Sequence, residues 1–162
     1  MALETYFDFA ENDFQYFKQS LQAGIVANMM GAIAQGICEK YMKHLISEYD
    51  IPDNAKEEIQ HTKILSTHSL DRLMKYLDKN LDLQFSKETK NEMKIIDGYY
   101  FSTRYPGEDS IELDKSDIEQ CGWAIYHCRE AVLQMIKEIE EPEIQQEEME
   151  NNVPIYDDEL EL

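Results

Sequence analysis

The stretch GAIAQGICEKYMKHLI, residues 31–46, decides the fold that the sequence predicts. Within it and just before it, large apolar residues recur every four positions, which is the period of one face of an α-helix. These residues are Ile25, Met29, Ile33, Ile37, Tyr41 and Leu45. Small residues such as Gly31 and Ala34 lie beside them and let a neighbouring helix approach closely. We therefore predict a long helix from Ile25 to about Tyr49 at the centre of the domain.

The same periodicity predicts helices on both sides of this central one. Their expected ranges are residues 7–21, 69–78, 86–102 and 116–139, with a short helix around 55–63 as an open alternative. Pro52 and Pro106 end helices because proline cannot continue them. Ser116 and Glu119 fit a capping box at the start of the last helix. No strand-type alternation appears, so the predicted fold is all-α, an antiparallel up-and-down bundle of four or five helices.

Length and composition point to one globular domain. The chain has 162 residues, of which 43% are hydrophobic and 30% are charged. No run approaches the roughly 20 apolar residues that a transmembrane helix needs, and acidic residues stand where a signal peptide would be basic. We expect a cytoplasmic protein without a membrane partner.

The net charge of −19 is concentrated near one end of the sequence. From Glu138 to Leu162 there are eleven acidic residues and no basic one, so this segment carries −11 and residues 1–137 carry −8. We predict a helical domain over residues 4–140 and an acidic C-terminal tail, partly disordered, over residues 141–162. The alternative is a docking segment, since NNVPIYDDELEL interleaves apolar residues with acidic ones.

The sequence contains no recognisable cofactor or metal motif. Cys38, Cys121 and Cys128 lie in apolar helical runs without metal-ligand spacing and are expected to be buried free thiols. The histidines show no HExxH grouping, and no glycine-rich phosphate loop is present. We predict no cofactor and no metal.

Four stretches, taken in order, resemble the landmarks of the HEPN domain, a small helical bundle common in prokaryotes. They are YFDFAENDFQYFKQSL (6–21), GAIAQGICEKYMKHLI (31–46), THSLDRLMKYL (67–77) and YYFSTRYPGED (99–109). The matching residues are Glu39, Lys40 and Lys43 in the second stretch, Thr67 to Leu70 in the third, and Tyr99, Tyr100, Arg104, Tyr105 and Pro106 in the fourth. The resemblance covers about residues 4–140.

The resemblance implies a bundle that commonly pairs as a homodimer, often beside a minimal nucleotidyltransferase in toxin–antitoxin or defence-type systems. Many members of the family are ribonucleases, with an arginine and a histidine separated by four to six residues. In such a pair the histidine moves a proton while the arginine holds the phosphate. Counting the same interval on from Arg72, Arg104 and Arg129 reaches no histidine. We therefore predict a non-catalytic member that binds a nucleotide or a protein.

A divergent, metal-independent ribonuclease acting as a homodimer is the alternative, and an interaction protein that uses its acidic tail is a third. His68 and Arg72 are the nearest acid–base pair, because a spacing of four places them on one helix face. His68 at a helix start also suits a purely structural role. His127 precedes Arg129 by two, so the two side chains face different directions.

Arg104 is the leading candidate for binding a ligand or a phosphate. It follows two tyrosines at a helix end and precedes a tight turn, although a salt bridge within the bundle would also explain it. Lys87, Lys90 and Lys94 form a basic stripe on the preceding helix and are the other phosphate-binding candidates. A solvated face of mixed charge is the alternative for that stripe, so binding of nucleic acid stays open.

Overall fold

The computed structural model describes the backbone of residues 2–151 and the side chains of residues 2–141. Within that range the chain forms seven helical segments and no strand, which confirms the all-α prediction. The segments are α1 (Tyr6–Gln22), α2 (Asn28–Tyr49), α3 (Ala55–Leu65), α4 (Leu70–Leu81), α5 (Lys87–Ile96), α6 (Tyr99–Ser102) and α7 (Lys115–Asn151). The prediction of disorder for residues 152–162 lies outside the described residues.

Helix α2 lies at the centre of the bundle and packs against each of the other six segments. Its fully buried apolar side chains are Ala34, Ile37, Cys38, Tyr41, Met42, Leu45 and Ile46. Apolar residues of α4 and α7 complete the core around it, among them Leu73 and Ile125. The three cysteines are free and buried, as predicted, and burial raises the pKa of Cys121 to about 12.

The start of α2 differs from the prediction. Gly24 adopts a left-handed backbone (φ +74°) after α1, so the helix begins at Asn28 rather than Ile25. Ile25 and Met29 are consequently exposed, at 45% and 52%, instead of facing the core. The Asn28 side chain donates to the carbonyl of Ile111 at 2.7 Å and accepts from the amide of Leu113 at 2.8 Å. These bonds fix the segment before α7 against the start of α2.

The helix predicted over residues 86–102 is broken into α5 and α6. Gly98 takes φ +94°, a left-handed conformation that favours glycine, and it turns the chain between the two segments. Asp97 ends α5, and its carboxylate accepts the amide hydrogens of Leu70 at 2.9 Å and Asp71 at 3.1 Å. The break therefore caps the start of α4 with a side chain from a distant part of the chain.

The cap of α7 lies two residues earlier than predicted. Asp114 and Asp117 exchange reciprocal bonds between backbone amide and carboxylate, both of 2.9 Å, in place of the predicted Ser116 and Glu119. The helix then runs beyond residue 140, through Pro142, to Asn151. The first part of the predicted tail therefore continues α7.

A charged cluster ties α1, α2 and α7 together. The Arg129 guanidinium bonds to both carboxylate oxygens of Glu11, at 2.5 and 3.3 Å, and the Tyr41 hydroxyl donates to the same carboxylate at 2.7 Å. Burial works to raise the pKa of Glu11, but the hydrogen bonds from Arg129 and Tyr41 outweigh it and hold that pKa below its ordinary value. Arg129 is therefore a structural residue.

The close approach to α2 at Gly31 gives a test of this packing. A Cβ atom there would collide with the Leu113 side chain and lie 3.0 Å from Cδ2 of Tyr99. Because overpacking a filled site costs about 1–3 kcal/mol, Gly31→Ala should lower the free energy of unfolding despite the better helix propensity of alanine. Urea denaturation followed by circular dichroism measures the change.

Gly36→Ala is the matched control, because it lies on the same helix and its added Cβ would meet only the end of the Lys40 side chain, at 4.0 Å. This variant should be neutral, or more stable by up to about 1 kcal/mol. Equal behaviour of the two variants would contradict the close packing at Gly31.

Candidate functional site

The corner formed by α6 and the following turn carries a cluster of aromatic rings. The His68 imidazole stacks on the Tyr100 ring with centroids 4.1 Å apart and planes inclined by 7°. The guanidinium carbon of Arg104 lies 4.6 Å from the centroid of the same ring and 5.6 Å from that of Tyr105. One tyrosine thus brings a histidine from the start of α4 and an arginine from the end of α6 to the same place.

His68, Tyr100 and Arg104 border a cavity of about 440 Å³, which we call the tyrosine cavity. Its walls come from α1, α2 and the α6 corner, and they include three tyrosines together with basic and acidic groups. The polar and aromatic lining residues are Tyr6, Asp13, Tyr16, Glu39, Lys40, Lys43, His68, Tyr100 and Arg104. The combination of flat rings and cations suits a ligand that has an aromatic part and an anionic part.

Gln35 holds two walls of this region in place. It is fully buried on α2, and its side-chain amide donates to the backbone carbonyl of His68. Its carbonyl oxygen accepts the amide hydrogen of Tyr100 at 2.7 Å. One side chain therefore sets the positions of both residues that stack on each other.

Below the stacked rings lies a buried pair of charges one helical turn apart. Glu39 and Lys43 are only 4% and 6% exposed, and Lys43 Nζ is 3.4 Å from Glu39 Oε2. The same oxygen lies 3.2 Å from His68 Nδ1. Glu39 therefore orients the imidazole through Nδ1, and among the contacts of the described residues His68 Nε2 makes no hydrogen bond.

The charge of Arg104 is not neutralised within the described part of the chain. The side chain is exposed and makes no ion pair there, so the predicted alternative of a salt bridge within the bundle does not form in that region. Lys40, by contrast, is paired with Asp13 at 2.5 Å. Arg104 is thus the cation of the tyrosine cavity that a ligand can reach without first displacing a carboxylate.

The other predicted residues lie elsewhere. Arg72 is exposed on α4 and borders a separate cavity, of about 450 Å³, that it shares with His68. His127 lies on α7, where Nδ1 is 2.7 Å from Glu92 Oε2 and the ring stacks on Trp123. Lys87, Lys90 and Lys94 lie on α5, and none of them lines the tyrosine cavity. The structure brings Arg104 and His68 together and separates both from the lysine stripe and from His127.

Sequence reasoning identified His68 and Arg104 separately and missed what connects them. Gln35 was not singled out, and Glu39 and Lys43 counted only as family landmarks. A usable signal was present: polar residues at 35, 39 and 43 repeat with a spacing of four on a helix that is otherwise apolar. Such a row marks either a solvated face or a buried polar network, and the sequence does not distinguish the two.

Comparison with known proteins identifies the family of the chain. The family model for the HEPN domain matches residues 3–139. The chain therefore belongs to the HEPN family, as the resemblance of the four stretches indicated. No curated protein and no solved structure matches it significantly.

Two further properties concern the described residues. No helix there is long and apolar enough to cross a bilayer. No three histidine, cysteine or acidic side chains come together there in an arrangement that could hold a metal ion.

The buried pair at the base of the site gives a second prediction. Lys43→Met should lower the free energy of unfolding by about 3 kcal/mol, because it leaves the Glu39 carboxylate buried without its ammonium partner. Removing both charges, in Lys43→Met with Glu39→Met, should cost less than Lys43→Met alone. Chemical denaturation of the three proteins measures these differences.

Lys40→Met is the control, since Lys40 is the neighbouring lysine and its pair with Asp13 is about one-third exposed (33% and 34%). A partly solvated pair contributes at most about 1 kcal/mol. If Lys40→Met and Lys43→Met were equally destabilised, the buried pair would have no special role.

Proposed function

We propose that the tyrosine cavity binds a nucleotide, and that the protein acts through this binding rather than through catalysis. The observation that carries the proposal is the exposed, unneutralised guanidinium of Arg104 on a tyrosine-lined cavity. Within a chain of net charge −19, such a site offers an anion a local attraction that the surface as a whole does not.

The chemistry of the walls fits both halves of a nucleotide. Tyr6 and Tyr16 supply ring faces for a base, and stacking of this kind contributes about 1–3 kcal/mol per base. Arg104 can form paired hydrogen bonds to a phosphate, held in place by its contact with Tyr100. Gln35 accepts a hydrogen bond from the backbone amide of Tyr100 and so positions this residue before the ligand binds. The binding therefore loses little conformational entropy at Tyr100.

Family membership supports a wider setting for this binding. HEPN proteins often belong to toxin–antitoxin or defence-type systems and commonly dimerise. We extend the proposal to a homodimer that pairs with a nucleotidyltransferase, for which a bound nucleotide would be a natural shared ligand. Co-expression with such an enzyme followed by size-exclusion chromatography tests the partnership.

Isothermal titration calorimetry with AMP, and with adenosine for comparison, tests nucleotide binding directly. Wild-type protein should bind AMP more tightly than adenosine, because only AMP offers a phosphate to Arg104. Arg104→Ala should weaken AMP binding about 10- to 150-fold, the equivalent of one charge-assisted interaction of about 1.5–3 kcal/mol. Adenosine binding should change little.

The triple variant Lys87→Ala, Lys90→Ala and Lys94→Ala is the control for net charge. It removes three positive charges outside the tyrosine cavity and should leave the affinity for AMP nearly unchanged. A loss in this variant, with none in Arg104→Ala, would move the phosphate site to the α5 stripe. No measurable AMP binding by the wild type would refute the proposal.

A divergent ribonuclease is the second candidate, and one observation favours it. His68, whose Nδ1 faces Glu39, lines the same cavity as Arg104, so an imidazole and a guanidinium border one cavity although no Arg-x4-6-His motif links them in sequence. A carboxylate that orients a histidine also suits a proton-transfer role.

Incubating the purified protein with end-labelled RNA in EDTA separates the two candidates. The nucleotide-binding proposal expects no cleavage above the buffer control. Cleavage that disappears in His68→Ala and in Arg104→Ala, but persists in His127→Ala, would establish the ribonuclease instead. His127 is the matched control because it is also paired with a carboxylate, that of Glu92, but lies outside the tyrosine cavity.

A further inference from the structure

Another cavity, of about 620 Å³, lies between α3 and α4, and we call it the basic groove. Four cations line it, namely Lys63, Arg72, Lys75 and Lys79. No carboxylate is among its described lining residues, which is unusual in a chain with more than twice as many acidic as basic residues. The groove is therefore a concentrated positive patch on an acidic protein.

Most of this positive charge is available to a ligand. Lys75 is paired with Asp71 at 2.7 Å, but Lys63, Arg72 and Lys79 are exposed and make no ion pair among the described residues. Ile64 and Tyr76 add half-buried apolar surface between the cations. An occupant that carries carboxylates next to apolar side chains would match this lining better than a purely charged one.

The groove and the described end of α7 lie at the same end of the bundle. The Tyr76 hydroxyl donates to Asp50 at 2.6 Å, and the hydroxyl of the adjacent residue, Tyr49, donates to Glu140 at 2.7 Å. Beyond Glu140, α7 continues for eleven residues, or about 16 Å at 1.5 Å per residue. The next eleven residues, 152–162, can span up to roughly 36 Å when extended, about twice the length that α7 runs beyond Glu140.

We propose that the acidic segment 152–162 of this chain binds in its own basic groove. The segment carries four acidic residues, Asp157, Asp158, Glu159 and Glu161, interleaved with Val153, Ile155, Tyr156, Leu160 and Leu162. Its acidic side chains pair with Lys63, Arg72 and Lys79, while its apolar side chains cover Ile64 and Tyr76. Attachment to the same chain raises its effective concentration to about the millimolar range, so weak individual contacts suffice.

Docking has a consequence for the neighbouring site. Arg72 also borders the separate cavity that His68 lines, so a segment bound in the groove would lie beside that cavity. Docking itself does not require the tyrosine cavity to bind a nucleotide. The two proposals therefore fail or succeed separately.

Paramagnetic relaxation in the full chain tests the docking. A thiol-reactive nitroxide should label only the cysteine introduced by Glu159→Cys, because the three native thiols are buried. We expect broadening of the amide signals of residues 60–66 and 72–80. The broadening should disappear in the triple variant Lys63→Gln, Arg72→Gln and Lys79→Gln. It should also disappear when the salt concentration is raised from about 0.05 M to about 0.5 M.

The matched control is the triple variant Lys87→Gln, Lys90→Gln and Lys94→Gln, which makes the same change in net charge on α5. This variant should keep the broadening. Docking within one chain is overturned if the groove signals are not broadened, or if they broaden only when isotope-labelled and spin-labelled molecules are mixed. It is equally overturned if the α5 control abolishes the effect. Binding of an oligoribonucleotide that depends on Lys63, Arg72 and Lys79, without segment contact, would assign the groove to a phosphate polymer.

Discussion

Three polar side chains, Gln35, Glu39 and Lys43, lie one helical turn apart on a helix that is otherwise apolar, and each is almost completely withdrawn from water. Buried polar groups must find partners, because leaving one unsatisfied costs about 1–3 kcal/mol. Gln35 finds them in the backbone at His68 and Tyr100, and Glu39 finds them in Lys43 and the His68 ring. These buried groups must be hydrogen-bonded inside the bundle, and their bonds hold His68 and Tyr100 in place. Both residues line the tyrosine cavity. Any movement of the chain before α4, or of α6, breaks bonds that water cannot easily replace.

The predictable part of the fold is the part that local periodicity controls. Helices α1, α4 and α7 have a continuous apolar stripe, and the sequence predicts α1, α4 and the start of α7 within three residues, whereas α7 ends twelve residues later than predicted. The prediction of helix boundaries fails where the boundary depends on a contact with another part of the chain. Asp97 and Gly98 interrupt a run that reads as one helix, because the Asp97 carboxylate is needed at the amides of Leu70 and Asp71. At the start of α7 two overlapping patterns both satisfy the capping rule, and the earlier pair, Asp114 and Asp117, forms the cap.

The candidate site was predictable only in fragments. An arginine after two tyrosines and before Pro106 is recognisable from the sequence as a residue with access to a ligand. That His68 shares its cavity is not, since the two residues are 36 positions apart and line one cavity through the fold, in which Gln35 bonds to the backbone of both His68 and Tyr100. Counting along the chain for an arginine–histidine motif therefore answers a narrower question than whether an imidazole and a guanidinium meet in space. The missing motif counts against the family's usual arrangement, whereas the shared cavity keeps proton transfer at His68 open to experiment.

The distribution of charge narrows the kind of ligand that the tyrosine cavity can hold. At physiological ionic strength electrostatic interactions are screened over about 8 Å, so a phosphate bound at Arg104 responds mainly to its nearest groups. A long nucleic acid extends past that distance and meets the remaining acidic surface. Acidic residues do not neutralise its phosphates, so its binding gains nothing there from the release of counterions. In the proposed function, a single nucleotide would avoid this repulsion and would gain its affinity from stacking on tyrosine and from one charge-assisted contact. The same screening explains why an acidic segment can be attracted to the basic groove while the protein as a whole repels anions, since Lys63, Arg72 and Lys79 act within a few ångströms of whatever lies there.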